Sequence, residues 1–364
     1  MRTGIANLPL HGGKAPAWLF NRMQKLAREI VKFIIYEFGP EEVLNKLSDP
    51  FWFQCFGCVL GFDWHSSGVT TTVCGAVKEG IKGMEHELGF FAAGGKGATS
   101  RKTPGEIQRW AEKIPAIAHT DLVHASRMSA KVDSAAVQDG YQLYHHGFFF
   151  TRGNKWCVVQ QGMNNSNHYA RRYHWLGDKV SDFVNEPHAA VCAEKKATAL
   201  NLVAVESGQC RDVSCRISRE KPEKMLAELN RILTLDMTAD HWIDPKRDIN
   251  PKYLEKTFLK AYEGQPENFA GLLGLPGVGP KTIRALSLIS DIVYGARPSF
   301  RDPARYSFAH GGKDGTPYPV DRANYDLSIE ILSKALDKGR IDYTEKVNAF
   351  RRLAVFQKEG SVGQ

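Results

Sequence analysis

The chain has 364 residues, a formal net charge of +8 at pH 7 and 43% hydrophobic residues. This length suffices for two or three domains with separate cores, and no apolar run is long enough to span a membrane. The seven cysteines are scattered, which argues against a disulfide framework, and the first residues lack the apolar core of a secretory signal. We therefore expect a cytoplasmic protein, and the positive charge favours a polyanionic partner.

The N-terminal part mixes helical and extended patterns. Apolar residues at helical spacing predict a long amphipathic helix through Phe20, Met23, Leu26, Ile30 and Ile34. A shorter helix is predicted before Pro50. Residues 56–81 predict a strand-like run, a turn at 65–68 and a further helix.

Residues 94–103, GGKGATSRKT, are interpreted as a solvated connector, with a phosphate-binding loop as the alternative. A helix is predicted to follow, because Thr103, Pro104 and Glu106 have capping-box spacing. Two aromatic and β-branched runs within residues 140–163 predict a β-hairpin whose turn is Arg152-Gly-Asn154.

From about Pro222 onwards the pattern becomes helical throughout. We therefore predict an α+β protein. An N-terminal mixed α/β domain, residues 1–215, is followed by an all-helical helix-hairpin-helix domain, residues 216–364.

The stretch LLGLPGVGPKT, residues 272–282, predicts a helix, a tight hairpin and a second helix. Pro280 suits the first position of the second helix, and Gly277 and Gly279 leave no side chain between the backbone and a ligand. Exposed amides at a helix start favour an anion such as a DNA phosphate. The predicted DNA-binding residues of this hairpin are Leu275, Gly277, Val278, Gly279, Lys281 and Thr282.

A nucleoside-triphosphate loop and an ordinary helical hairpin are two other interpretations of this stretch. A nucleoside-triphosphate loop needs the pattern GxxxxGK[ST], and Pro280 separates Gly279 from Lys281. An ordinary helical hairpin with a Gly-Pro turn remains open as the second alternative.

The same run resembles the hairpin of the endonuclease III-like enzymes of the helix-hairpin-helix DNA glycosylase superfamily. In that family an L-P-G-V-G-x-K-T run precedes an aspartate in a Val-Asp pair, which is found here at Val320-Asp321. The resemblance covers roughly residues 221–364 and implies that Lys281 is a Schiff-base lysine and Asp321 a catalytic aspartate. The complete chain also resembles a prokaryotic family of unknown function.

The chemistry of base excision explains why these residue types occur together. A carboxylate can stabilise oxocarbenium-like charge at the sugar, and a lysine amine can attack C1′ and form an imine. The target base must also leave the stack. The alternative for Lys281 is a contact with phosphate only, and the alternative for Asp321 is a carboxylate at a helix start.

Candidate residues in the N-terminal part support weaker interpretations. Acidic residues and histidines that could bind a metal or act as bases are Asp63, His65, Asp133, Asp139, His145, His146, Glu186 and His188. Cysteines with zinc-like spacing are Cys55, Cys58, Cys210 and Cys215, although buried thiols are the favoured interpretation. Arg171 and Arg172 lie among aromatic residues and are predicted to contact DNA, with a basic helix face as the alternative.

We therefore predict a protein that binds double-stranded DNA, possibly damaged, and acts in repair as a glycosylase and abasic-site lyase. No cofactor and no metal ligand are predicted. One alternative is a metal-dependent DNA nuclease in the N-terminal domain, for which a divalent metal would be the cofactor. The other is a non-catalytic DNA-binding protein.

Overall fold

The computed structural model describes residues 15–62, 67–193, 196–234, 249–304, 322–339 and 343–361. The N-terminal helices are α1 (Ala17–Phe38), α2 (Pro40–Ser48), α3 (Pro50–Val59), α4 (Gly68–Gly80) and the short α5 (Glu85–Leu88). After β1 (Phe90–Lys96) and a 3-10 turn come α6 (Thr103–Lys113) and α7 (His119–Lys131). None of the helices within these ranges is both long enough and apolar enough to cross a membrane.

The following strands are β2 (Val137–Gln138), β3 (Gln142–Thr151), β4 (Trp156–Asn164), β5 (Tyr169–Leu176), β6 (Ala190–Cys192) and β7 (Leu200–Asn201). The C-terminal helices are α8 (Gly208–Ser218), α9 (Pro222–Leu233), α10 (Pro251–Gly264), α11 (Phe269–Gly274), α12 (Pro280–Tyr294), α13 (Arg322–Lys338) and α14 (Tyr343–Ser361). The predicted α+β class is confirmed by these helices and by an antiparallel five-stranded sheet of order β1-β3-β4-β5-β6.

Both faces of this sheet are buried. Side chains that alternate along the strands enter two separate apolar clusters, because neighbouring residues of a strand point to opposite faces. Phe148 and Tyr173 belong to the cluster that α6 to α12 cover. Phe149 and Leu176 belong to the cluster that α1 to α4, α13 and α14 cover. The sheet is therefore the middle layer between two layers of helices.

The first cluster is continuous across the predicted domain boundary. It joins Phe91 and Trp175 of the sheet to Met225, Phe258 and Leu286 of the C-terminal helices. The second cluster likewise includes Leu332 and Leu353 beside α1 and α3. The division at residue 215 stays a prediction, and apolar packing crosses it on both sides of the sheet.

Several predicted elements are present, and two local predictions are wrong. The helix through Phe20, the helix before Pro50 and the β3–β4 hairpin are confirmed. The strand-like run from residue 56 instead belongs partly to α3, which begins where Asp49 Oδ1 accepts hydrogen bonds from the amides of Phe51 and Trp52. The predicted turn at 65–68 lies largely outside the described residues.

The predicted capping box at the start of α6 does not form, although the helix does. Thr103 Oγ1 donates to the carbonyl of Ser100 at 2.7 Å. Glu106 Oε2 accepts from the amide of Gly94 at 2.9 Å and from Lys78 Nζ at 2.6 Å. The carboxylate thus links β1 and α4 instead of capping its own helix.

Candidate nucleic-acid interface

The helix, hairpin and second helix predicted from LLGLPGVGPKT are all present. Asn268 caps α11 by accepting the amide of Gly271 at 2.8 Å. The chain then turns at Gly277, whose φ of 92° is a conformation that favours glycine, and Gly279 is the extended N-cap of α12. Val278 is buried between these two glycines and anchors the hairpin, whereas Gly277 itself is exposed.

The exposed side of the hairpin offers donors without protein acceptors. Within the described ranges, the amides of Gly277 and Gly279 form no hydrogen bond to the protein. They lie at the start of a 15-residue helix, where the helix dipole adds partial positive charge. An anion at this point would satisfy donors that otherwise contact only solvent.

Two exposed lysines flank the same backbone. Lys281 is the second residue of α12, and Lys260 on α10 brings its ammonium to 3.9 Å from the point where a Cβ of Gly277 would lie. In the part of the chain that the structure describes, neither ammonium forms an ion pair. Lys260 is not recognisable from the sequence, because this contact joins residues that are well separated along the chain.

Contacts from α7 and β2 hold the hairpin from behind. The half-buried Lys131 Nζ donates to the carbonyl of Val278, and burial lowers the pKa of this lysine. Gln138 Nε2 donates to the carbonyl of Pro280 at 2.9 Å, and its Oε1 accepts from Arg284 Nε at 2.7 Å. The N-terminal part of the chain therefore fixes the orientation of the hairpin.

The other residues predicted for the hairpin contribute less accessible surface. Thr282 and Val278 are buried, and Leu275 is half-buried. Of the residues predicted to bind DNA here, Gly277 and Lys281 are exposed and Gly279 is half-buried. Asp321, the predicted partner of Lys281, lies outside the described residues.

The structure contradicts the predicted DNA contacts of Arg171 and Arg172. Both lie on β5 and both are fully buried, so neither a phosphate contact nor an exposed helix face describes them. Arg171 forms ion pairs of 2.8 Å with Asp139 and Asp302. Arg172 points to the opposite face of the sheet, where its guanidinium lies 4.7 Å from the ring of Phe53.

Several of the acidic residues and histidines considered as metal ligands form hydrogen bonds inside the protein. Asp133 Oδ2 accepts from Trp175 Nε1 at 2.9 Å, and its Oδ1 lies 2.5 Å from His188 Nε2. Gln160 joins Asp133 to His146, whose Nε2 lies 2.9 Å from Ser126 Oγ. This buried polar network links α7 to the centre of the sheet.

No group of three or more His, Cys, Asp or Glu side chains within the described ranges is arranged to hold a metal ion. Cys55 and Cys210, taken from the two halves of the possible zinc set, enter different apolar clusters on opposite faces of the sheet. Asp63 and His65 lie outside the described residues. The favoured interpretation of Cys55 and Cys210 as buried thiols agrees with their burial.

Comparison with known proteins gives one match. The family described as "Protein of unknown function (DUF763)" matches residues 4–320, which include the sheet and the hairpin. No curated protein and no solved structure matches the chain.

Proposed function

We propose, from the geometry of the hairpin, that this chain, which belongs to the DUF763 family of proteins of unknown function, binds the phosphate backbone of duplex DNA. The observation that carries this proposal is the exposed turn at Gly277 and Gly279, with amides open to a ligand and with Lys260 and Lys281 beside it. Such contacts position a duplex without reading its sequence. The net charge of +8 supports a polyanionic partner.

Gly279→Val is the sharpest test of the hairpin. Gly279 has a φ of −140°, which valine adopts without strain, and a Cβ at this position would come no closer than 4.0 Å to its nearest neighbour, the carbonyl of Gly277. The side chain would nevertheless cover the amides. We expect duplex affinity to fall at least about tenfold, the equivalent of 1.4 kcal/mol, for every sequence tested.

Gly105→Val is the matched control, since Gly105 is an exposed glycine of α6 with open space around it. Fluorescence anisotropy with short duplexes at several salt concentrations is the measurement. Lys260→Ala and Lys281→Ala should each reduce the slope of log affinity against log salt by about 0.9, whereas Lys82→Ala beyond α4 should leave it unchanged. Equal affinity of the wild type and a folded Gly279→Val variant would remove the hairpin from the interface.

We further propose glycosylase and abasic-site lyase chemistry with Lys281 as the nucleophile and Asp321 as the catalytic carboxylate. Two observations favour it: the resemblance of residues 272–282 to a glycosylase hairpin, and the exposed position of Lys281 beside that hairpin. An amine at this position is close to any phosphate that the amides hold. The chemistry requires a neutral amine, which attacks C1′ while the bond from C1′ to the base breaks and the base leaves with a proton. Breaking the C1′–O4′ bond then opens the sugar to an imine, and loss of a C2′ proton expels the 3′ phosphate by β-elimination.

Lys281→Arg separates chemistry from binding. Arginine retains the positive charge but stays protonated and cannot form an imine. Because the charge is kept, we expect a duplex affinity within about a factor of three of the wild type, which is a change in binding free energy of less than about 1 kcal/mol. Borohydride trapping on duplexes with an abasic site should be lost, and Asp321→Asn should suppress base release while binding is kept.

Lys260→Arg is the matched control and should retain trapping. If the wild-type protein is not trapped on a panel of damaged duplexes but binds them, the lyase proposal fails and the binding proposal stands. If trapping survives Lys281→Arg, the nucleophile is another amine.

A further inference from the structure

A cavity of about 520 Å³ lies between α1, α4 and the edge of the sheet that β1 and β3 form, on the side opposite the cluster that contains the hairpin. Its apolar lining comes from Phe20, Ala92 and Phe149. Gly147 on β3 is closely packed in this lining, since a Cβ there would lie 3.3 Å from His145 Nε2 and 3.4 Å from Cys74 Sγ. Cavities of this size and lining hold small organic ligands.

His145 lines the cavity with only 2% of its surface exposed. Within the described ranges, neither of its ring nitrogens has a hydrogen-bond partner. Burial, with contributions from His146 and Lys96, lowers the pKa of His145 to about 3, so the ring is neutral at pH 7. A neutral imidazole offers one donor and one acceptor, and leaving them unsatisfied costs about 1–3 kcal/mol per group.

Two glycines of β1 and two lysines also line the cavity. Gly94 and Gly95 have φ values of 84° and 147°, and a Cβ on Gly94 would lie 2.2 Å from the carbonyl of His146, so only glycine fits there. Lys78 is already bound to Glu106 and to the carbonyl of Gly94. Lys96 is exposed, lines the cavity and forms no ion pair with any described carboxylate.

One carboxylate also lines the cavity. Glu79 lies on α4, and its carboxylate is 3.4 Å from Lys82 Nζ, outside the lining. The lining thus combines an apolar surface, a buried neutral donor and acceptor, and the exposed Lys96 ammonium, which lies 5.8 Å from the centre of the Tyr144 ring and forms no described ion pair.

We propose that this cavity binds a nucleoside monophosphate, with the base against the apolar lining, an edge of the base on His145 and the phosphate beside Lys96. The apolar lining corresponds to the face of the base, His145 to its edge, and Lys96 to the phosphate. A planar base buries apolar area and presents donors and acceptors at its edge, while a phosphate favours an ammonium and nearby backbone. This site shares no residue with the hairpin and does not depend on DNA binding.

Isothermal titration of the full chain with AMP, GMP, CMP and UMP tests the proposal. At least one of them should bind with a dissociation constant below about 1 mM, or about −4 kcal/mol. Its nucleoside should bind at least about tenfold more weakly, because it lacks the charged contact. If none of the four binds, the cavity holds only water and the proposal is overturned.

Two variants locate the site. Lys96→Ala should reduce the affinity for the monophosphate to that for its nucleoside. Lys102 is an exposed lysine of the same loop, and Lys102→Ala should leave the affinity unchanged. His145→Phe keeps an aromatic ring but removes both nitrogens, so nucleotide binding should be lost.

The thermal stability of the free protein distinguishes a ligand role of His145 from a structural one. The melting temperature of His145→Phe should stay equal or rise, since no described hydrogen bond is lost. A lower melting temperature together with retained nucleotide binding would assign His145 to the fold and contradict the proposal. If His145→Phe does not fold, the Lys96→Ala and Lys102→Ala pair decides.

Discussion

Three histidines in or beside the sheet are buried as neutral rings, and this ties the stability of the protein to pH. Burial lowers the pKa of His145 to about 3 and of His146 to about 4, and that of His174 well below its ordinary value. In the unfolded chain these rings take up protons near pH 6.5. Below that pH the unfolded state binds more protons than the folded state, so acid favours unfolding.

The free energy of unfolding should therefore fall as the pH is lowered from 7 to 5. Each buried histidine contributes about 1.4 kcal/mol per pH unit below about 6.5, or about 2 kcal/mol by pH 5. This contribution is complete above pH 6.5 and is lost progressively towards the folded-state pKa of about 3 to 4. Urea titrations at a series of pH values measure it.

His145→Phe removes one of these protonation sites. Between pH 7 and pH 5, the free energy of unfolding of the variant should fall by about 2 kcal/mol less than that of the wild type. If the free energy of unfolding depends on pH in the same way for the two proteins, His145 takes up its proton in the folded state as well, in conflict with its burial.

At the scale of single elements, helical periodicity predicted α1, and turn residues between two apolar runs predicted the β3–β4 hairpin. Helix α1 has buried Met23 and Ile30 at helical spacing on one face and solvent on the other. The β3–β4 hairpin has turn residues between two apolar runs. In both cases the pattern needed to identify the element lies within the element.

The end of helix α3, from residue 56, was predicted as strand-like because nearly all of the helix is buried and its sequence has no polar face. Phe51, Trp52, Phe53 and Phe56 are all buried. A short apolar run of this kind fits a buried strand as well as a buried helix. The signals that decide in favour of a helix are Asp49 as the N-cap and Pro50 at the first position.

The hairpin was predictable for the same local reason, while its surroundings were not. Gly277, Gly279 and Lys281 are neighbours in the sequence, so the turn and the helix start can be recognised there. Lys131 reaches the hairpin across 147 residues. The burial of Arg171 also depends on a distant residue, because Asp302 pairs with it across 131 residues.

At the scale of the whole molecule, polar contacts join strands β5 and β7 to the chain that follows α12. Arg171 on β5 binds Asp302 as well as Asp139, and the amide of Asn201 donates to the carbonyl of Ser299 at 2.9 Å. Together with the continuous apolar cluster, these contacts lead us to expect that the hairpin helices and the sheet unfold together.

Arg171→Met tests this connection, because methionine fills similar space but leaves two buried carboxylates without their cation. Removing one partner of a buried ion pair costs about 3–5 kcal/mol. Arg301→Met is the matched control: Arg301 is exposed, pairs with Glu186 and Glu206 at the surface, and should contribute less than about 1 kcal/mol. Urea unfolding followed by tryptophan fluorescence gives both values.

The same variant distinguishes a buried structural arginine from a residue that contacts DNA. Arg171 is fully buried, so the fraction of Arg171→Met that remains folded should bind duplex DNA with the wild-type affinity and the wild-type salt dependence. A phosphate contact would instead weaken binding and reduce the salt slope by about 0.9 with little loss of stability. Loss of affinity in a variant as stable as the wild type would return Arg171 to the interface, whereas loss of stability with unchanged affinity assigns it to the junction between the sheet and the helices.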